Sequence, residues 1–294
     1  MEMEYVTLNN GVKMPKLGLG VFRVTDLAQA EEMVYQAVEQ VGYRLIDTAA
    51  AYGNEKAVGA ALVRTSVARE DIFVTSKLWL SDIKTDGYEG AKRGLERSLK
   101  NLGLDYIDLY LIHQPLGDLY GAWRYLSEAV RAGKLRAIGV DNFTQAKLAE
   151  FAAFNEVVPA VNMVEANVLH QRTEDQKAMA ARGVQMGAWA PFGAGNTEIF
   201  NSPVLKSMAE SHGKTVGQVI LRWFMQRDIV AIPKTVRIER MRENLAVFDF
   251  ALTESEMAAI ARLDQGGGYS LPDTADGMDQ LLELLSGYDT LLDA

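Results

Sequence analysis

Four side chains that can move or hold a proton are spread along the first 113 residues. Asp47, Lys77 and His113 end short apolar segments, and Tyr52 follows in the loop after Asp47. Tyrosine has an ordinary pKa of about 10, and a nearby ammonium lowers it by favouring the phenolate. Asp47 could hold Lys77 in place, while His113 could hydrogen-bond a carbonyl oxygen. We predict a general-acid site that protonates an alkoxide formed by hydride transfer.

Other chemistries find little support in the composition. The chain has no cysteine, and its three histidines, His113, His170 and His212, lack the spacing of a helical zinc site. We therefore predict neither thiolate nor metal catalysis. No side chain supplies a hydride, so a cofactor must do so. Taken singly, each residue has a structural alternative, such as a helix cap for Asp47, and the prediction depends on their convergence.

Short apolar strands alternate with amphipathic helices and would bring these residues together. The chain starts with a hairpin whose turn lies at Asn10-Gly11. Eight β–α units follow, and eight units in about 250 residues are typical of a closed barrel. The predicted strands cover 15–20, 44–48, 72–77, 106–113, 135–140, 160–164, 184–190 and 229–233. The predicted helices cover 27–40, 55–64, 87–102, 119–132, 145–154, 174–182, 203–212, 216–226 and 237–247.

The predicted fold is α/β, a (β/α)₈ TIM barrel with an N-terminal β-hairpin, extra helices and a C-terminal tail. A doubly wound sheet is the alternative, but Gly18-Leu19-Gly20 lacks the third glycine of a dinucleotide-binding loop. We predict one domain over 1–294, with the barrel core at about 15–263 and an acidic tail over 264–294. Strand carboxyl ends share one mouth in such a barrel, so the four residues would meet there.

The charge pattern limits the partners of the chain. The net charge is −9, and no Lys or Arg follows Arg262. Without a basic stripe we predict no nucleic-acid binding. The polar start MEMEYVTLNNG and the lack of a long apolar run predict no export signal and no membrane span, and hence a cytoplasmic protein. We separately expect a monomer or weak dimer. Seven acids lie in the tail: Asp264, Asp273, Asp276, Asp279, Glu283, Asp289 and Asp293.

Three segments, in order, resemble signatures of the aldo-keto reductases. They are GYRLIDTAAAYGNE at 42–55, LGLDYIDLYLIHQP at 102–115 and IPKTVRIERMRENLAVFDFALT at 232–253. The resemblance runs from about residue 5 to 263. Within the family, the chain is similar to the bacterial diketogluconate reductase and prostaglandin F synthase-like branch. It implies NADPH-dependent reduction of aldehydes and ketones, with Tyr52 as proton donor, Asp47 and Lys77 assisting it, and His113 orienting the carbonyl.

The resemblance also implies where NADPH/NADP⁺ and the substrate bind. Lys234 and Arg240 would grip the 2′-phosphate, and Trp189 would stack on the nicotinamide. The other implied cofactor contacts are Asp141, Asn142, Met163, Phe192, Thr235, Val236, Glu243 and Asn244. The implied substrate pocket, for small aldehydes, α-keto esters or diketo sugar acids, holds Phe22, Trp79 and Gln114.

Four positions depart from the family pattern. Asp141 and Met163 stand where Ser and Gln are usual, so one adds a charge and the other removes a hydrogen-bonding group. Ala190 replaces a common Ser, and Gln114 replaces a Trp, which makes the pocket more polar. The departures leave open an NADP(H)-binding sensor with little turnover, and the acidic tail leaves open a structural protein.

The tail does not resemble the usual ending of the family. The resemblance nevertheless implies a C-terminal tail over the barrel mouth, so we expect it to act as a lid, with its acids facing solvent and its apolar side chains facing the pocket. Those apolar residues are Tyr269, Leu271, Leu281, Leu284 and Leu285.

Overall fold

The computed structural model describes residues 3–292 and shows eight parallel strands surrounded by helices, preceded by a two-stranded hairpin. Asp293 lies outside the described residues. The strands are Tyr5–Thr7 (β1), Lys13–Pro15 (β2), Leu19–Gly20 (β3), Leu45–Asp47 (β4), Phe73–Leu78 (β5), Ile107–Ile112 (β6), Leu135–Asp141 (β7), Val161–Glu165 (β8), Gln185–Trp189 (β9) and Val230–Ile232 (β10).

Helices connect the strands and cover the outside of the sheet. They are Leu27–Tyr35 (α1), Glu55–Arg64 (α2), Gly87–Leu102 (α3), Leu119–Arg131 (α4), Gln145–Ala153 (α5), Thr173–Ala180 (α6), Thr197–Asn201 (α7), Pro203–His212 (α8), Val216–Gln226 (α9), Ile238–Leu245 (α10), Glu254–Ala261 (α11) and Ala275–Ser286 (α12). Their apolar faces form one large buried cluster with the outward-facing strand residues. A second cluster fills the barrel beneath the hairpin.

The sheet closes into a barrel. Strands β3 to β10 pair in chain order, all parallel, and Leu17, just before β3, pairs in parallel with Ala231 of β10. The closing hydrogen bonds run from Ala231 N to Lys16 O (2.8 Å) and from Gly18 N to Ala231 O (3.0 Å). The barrel prediction is thus confirmed, and a doubly wound sheet is excluded.

Gly18 serves strand packing in this barrel. A Cβ placed on it would lie 2.5 Å from Leu45 Cγ, so only glycine allows the first strand to approach its neighbour this closely. This contact explains the glycine in a segment that does not form a phosphate-binding loop.

Most predicted elements agree with the structure, and the bounds of α2, α3, α8 and α9 match to the residue. The predicted helix over 27–40 instead becomes π-helical from Gln36 to Val41. The sequence analysis missed α7 and α11, although α11 carries a capping box formed by Thr253 and Glu256.

The tail crosses the barrel mouth. Leu285 at the end of α12 and Leu292 are buried against Ala50, Ala51 and Trp79 on the mouth loops. The predicted position of the tail is therefore confirmed. Leu284 is an exception, because 67% of it is exposed.

Between residues 3 and 292, no helix is long and apolar enough to cross a membrane. The same residues contain no group of three or more His, Asp or Glu side chains arranged to hold a metal ion.

Candidate active site

The strand ends bring the predicted proton-transfer residues to one place. Asp47 ends β4, Lys77 lies near the end of β5, and His113 directly follows β6. All three are buried, with 6%, 2% and 8% of their surface exposed. Tyr52 ends a 3₁₀ turn, Ala50–Tyr52, that directly follows β4. The parallel register of neighbouring strands thus places all four side chains at the mouth.

A buried asparagine fixes the loop that carries Tyr52. Asn54 donates hydrogen bonds to Val21 O (3.0 Å) and Val24 O (3.2 Å), and accepts one from Thr48 Oγ1 (2.8 Å). These bonds tie the loop after β4 to the loop after β3. The position of the Tyr52 ring is therefore set by the scaffold before any ligand binds.

The ammonium of Lys77 uses all three of its donors within the site. It donates to Asp47 Oδ2 (2.7 Å), to Thr48 O (2.9 Å) and to the Tyr52 hydroxyl oxygen (3.2 Å). Since an ammonium has three donors and no acceptor, it is saturated here. The Tyr52 oxygen accepts from Lys77, which leaves the phenolic proton free to be donated elsewhere.

Burial and charge shift the pKa values of these groups in different directions. Burial opposes the ammonium, but the attraction to Asp47, Tyr52 and Asp141 together outweighs it, so the pKa of Lys77 is raised. Burial also raises the pKa of Tyr52, although Lys77 acts to lower it. The predicted net lowering of the Tyr52 pKa is therefore wrong, because desolvation of the phenolate is the larger effect. Both groups hold their protons at neutral pH.

His113 is neutral in this environment. Burial, followed by the charge of Lys77, lowers its pKa well below the ordinary value. The imidazole packs edge-on against Tyr52, with ring centroids 5.5 Å apart, and against Trp79, at 5.1 Å. Its buried Nδ1 has no hydrogen-bond partner in the part of the chain that the structure describes.

Asp141 adds a second buried carboxyl group beside this set. It ends β7, is 2% exposed, and its Oδ2 lies 4.0 Å from His113 Nε2. Its Oδ1 has no hydrogen-bond partner among residues 3–292. Burial raises the pKa of Asp141 well above the ordinary value; the charge of Lys77 opposes this shift and that of Asp47 adds to it. The site therefore holds a buried acceptor that the protein does not satisfy.

The predicted nicotinamide residues surround Asp141. Asn142 has a left-handed backbone (φ 64°), which asparagine tolerates, and its Oδ1 accepts from Trp189 Nε1 (3.0 Å). Met163 pairs with Asp141 across β7 and β8, and its sulfur takes the space above Gly187. Phe192 lies farther along the loop after β9 and packs on Phe200.

The predicted 2′-phosphate residues form a separate group after β10. Lys234 and Arg240 are exposed, whereas Thr235 is buried and Val236 half-buried. Glu243 accepts from Thr215 Oγ1 (2.6 Å), and Asn244 is buried. The structure thus leaves the two cations open to solvent and uses the polar residues of α10 to hold its position.

The predicted substrate residues line the mouth together with tail residues that sequence reasoning missed. Phe22 lies 4.9 Å from Tyr52 between ring centroids, and Trp79 is buried beside His113. Gln114 Oε1 accepts from the Tyr269 hydroxyl (3.2 Å). Two residues were missed, Tyr288 and Asp289.

These two tail residues contact the pocket directly. The Tyr288 ring lies 5.7 Å from Trp79, and Asp289 Oδ1 accepts from Trp79 Nε1 (2.7 Å). The expectation that the tail acids all face solvent is therefore wrong for Asp289. No periodic pattern marks these residues, since they follow α12 in a short 3₁₀ turn.

Comparison with known proteins identifies the family. The chain belongs to the aldo/keto reductase family, whose model matches residues 16–265. It is 44% identical to glyoxal reductase of Bacillus subtilis, with 88% of this chain and 92% of that protein covered. It is also 44% identical to morphine 6-dehydrogenase of Pseudomonas putida, with 89% and 91% covered.

Solved structures agree with this assignment. An aldo-keto reductase of Bombyx mori in complex with NADP has a TM-score of 0.86 and 32% identity, with 95% of this chain and 98% of that one covered. An aldo/keto reductase of Brucella melitensis has a TM-score of 0.84 and 39% identity, with 90% and 100% covered. The chain is thus an NADP(H)-dependent oxidoreductase of the carbonyl-reducing kind.

Proposed function

We propose that the chain reduces small aldehydes and ketones with NADPH and that Tyr52 donates the proton. The observation that carries this proposal is the chain of hydrogen bonds from Asp47 through Lys77 to the Tyr52 oxygen. Because Lys77 donates to that oxygen, the phenolic proton points away from the ammonium and toward the mouth. Tyr52 is protonated at neutral pH, and the adjacent ammonium stabilises the phenolate that remains after donation.

His113 positions the carbonyl in this scheme. Its neutral imidazole can donate one hydrogen bond to a carbonyl oxygen, and its edge-on packing against Trp79 fixes the ring plane. A carbonyl oxygen held between His113 and Tyr52 receives its proton without an intervening water. The site needs no nucleophile for this reaction.

The residues around Asp141 fit a bound nicotinamide. NADPH, when bound, supplies the hydride. The unsatisfied Asp141 Oδ1 offers an acceptor for the NH₂ of the carboxamide, and Trp189 offers a ring to stack on. Met163 supplies only an apolar contact. At the other end, the exposed Lys234 and Arg240 are suited to the 2′-phosphate, since a phosphate is bound most strongly by cations.

A panel assay tests the activity. NADPH oxidation, followed at 340 nm, is measured with glyoxal, methylglyoxal, an α-keto ester and a diketo sugar acid. The first two are chosen because relatives are named glyoxal reductase and, at 39% identity in Salmonella typhimurium, methylglyoxal reductase. Turnover of any compound supports the proposal and excludes a sensor without activity. No turnover of the whole panel, with NADPH still bound, would favour the sensor.

Tyr52→Phe tests the proton donor. We expect kcat to fall by at least about 10²- to 10⁴-fold, the usual contribution of general acid catalysis, while NADPH binding stays nearly intact. Tyr88→Phe is the matched control, because Tyr88 bonds to Glu128 on the helical exterior. Near-normal kcat in Tyr52→Phe would show that another group donates the proton.

A further inference from the structure

Three aromatic rings enclose the outer part of the pocket. Phe22 packs on Tyr52, and the Tyr288 ring lies 6.3 Å from Phe22 and 5.7 Å from Trp79. Trp79 in turn packs on His113. The rings thus stand directly above the two groups proposed to hold the carbonyl oxygen. A substituent next to that carbonyl would lie among aromatic faces.

The tail places a carboxylate at the edge of these rings. Asp289 is half-buried, and its one bond from Trp79 Nε1 leaves most acceptor sites of the carboxylate unused. Leu285 and Leu292, on either side of it in the chain, are buried on Ala50 and Ala51. Asp289 is therefore held at the pocket by packing on both sides.

The other charges near the pocket leave Asp289 as its accessible anion. Asp47 is bound to Lys77, and Asp141 is only 2% exposed and lies beside His113, so neither carboxyl group is open to the outer pocket. One exposed cation is close, since the Arg23 guanidinium lies 5.2 Å from the Phe22 ring centre. Arg23 directly follows Phe22 in the chain, so this contact is local, and the exposed guanidinium offsets part of the Asp289 charge.

We propose that this pocket recognises carbonyl compounds that carry an alkylammonium group near the carbonyl. Aromatic faces attract organic cations through the ring quadrupole, and a carboxylate at the rim adds direct Coulombic attraction. The Asp289 carboxylate would repel an anionic keto acid, so the pocket would bind such a substrate more weakly. The inference depends on the proposed function, because it concerns the substrate of the same site.

Two ketones of equal shape test the proposal. They are (2-oxopropyl)trimethylammonium and 4,4-dimethylpentan-2-one, in which a quaternary nitrogen replaces a quaternary carbon. The ammonium also makes the carbonyl more electrophilic, so the decisive quantity is how the ratio of their kcat/KM values changes between enzyme variants. We expect Asp289→Asn, which removes the Coulombic attraction, to lower the ratio of cationic to neutral substrate about three- to thirtyfold. Asp289→Glu should restore much of it.

A matched control and a salt series separate the pocket from the general charge of the tail. Glu283→Gln removes an exposed tail acid and should leave the ratio unchanged. The wild-type ratio should fall between low salt and about 0.5 M salt, since the carboxylate is partly exposed. An equal ratio in wild type and Asp289→Asn, or an equal drop in Glu283→Gln, would overturn the inference.

A binding measurement distinguishes failure of the inference from failure of the proposed function. Tetramethylammonium is titrated against the holoenzyme, with Trp79 as a fluorescent reporter at the site. Saturable quenching that weakens in Asp289→Asn supports the ammonium site even if no ketone is reduced, in which case only the proposed function fails. Reduction of neutral carbonyls without tetramethylammonium binding would overturn the ammonium site and leave the proposed function standing.

Discussion

Asp47 and Asp141, two buried carboxyl groups at the barrel mouth, should respond in opposite ways to substitution by asparagine. Asp47 is bound to Lys77 at 2.7 Å, whereas Asp141 has an oxygen without a partner and no cation of its own. We expect Asp141→Asn to stabilise the ligand-free protein and Asp47→Asn to destabilise it. The two changes have the same size and chemistry, so each serves as a control for the other.

The magnitudes follow from the contacts. A carboxyl group whose folded-state pKa is raised costs about 1.4 kcal/mol of stability for each pH unit of that rise, once the unfolded chain ionises. Because the amide of asparagine cannot ionise, Asp141→Asn should increase the free energy of unfolding by about 1–3 kcal/mol. Breaking a buried ion pair costs about 3–5 kcal/mol, because it leaves Lys77 uncompensated. At about 2 °C per kcal/mol for a chain of this size, the Tm should rise by about 2–6 °C in one variant and fall by about 6–10 °C in the other.

The pH dependence gives the prediction its sign. Burial raises the folded-state pKa of Asp141 above that of the unfolded chain. Below the ordinary aspartate pKa both states are protonated and the penalty is absent. As pH rises from there toward the folded pKa, the unfolded state releases its proton first and the wild type loses stability. The advantage of Asp141→Asn should therefore grow with pH and shrink under acidic conditions.

Thermal unfolding of the ligand-free variants at about pH 5, 6, 7 and 8 measures these effects, with circular dichroism at one temperature to show that each is folded. A lower Tm for Asp141→Asn than for wild type at pH 8 would refute the argument. So would an advantage that does not change with pH, since it would not come from ionisation of Asp141.

Three further predictions concern the cofactor and the tail. Arg240→Ala should raise the Kd of NADPH about 10- to 150-fold and hardly change that of NADH, by fluorescence titration; equal losses would show that Arg240 does not bind the 2′-phosphate. Asp141→Ser combined with Met163→Gln should tighten NADPH binding by about 0.5–1.5 kcal/mol, and weaker binding in the same titration would indicate a compensated arrangement. Truncation after Asp264 should leave a folded, NADPH-binding barrel with a changed kcat/KM ratio between a neutral aldehyde and a keto acid. An unchanged ratio would exclude a lid.

The barrel and the proton-transfer residues were predictable because they depend on local patterns. Apolar runs that end in Asp47, Lys77 and His113 mark strand ends, and parallel strands bring such ends to one mouth. The bounds of several helices followed from caps and periodicity alone. The same pattern could not show that Gln36–Val41 is π-helical, since the side-chain period changes little over one turn.

Burial and long-range contacts were the parts that the sequence could not supply. The direction of the Tyr52 pKa depends on how completely the phenol is removed from water, which the neighbouring residue types do not reveal. Asp289 and Trp79 lie 210 positions apart in the chain, and no periodic pattern in the tail marks Asp289 as a pocket residue. The sequence predicts that Leu284 and Leu285 both face the pocket, yet Leu285 is buried and Leu284 is exposed.

The division of the pocket between two stretches of chain bears on how its specificity changes over evolution. The side chains that hold and position the proton lie between Asp47 and His113, whereas Tyr269, Tyr288 and Asp289 come from the last part of the chain. Few tail residues are buried, so substitutions there have little effect on the barrel core. Selection can therefore alter the accepted substrates by replacing this one segment, while the inherited reaction chemistry remains intact.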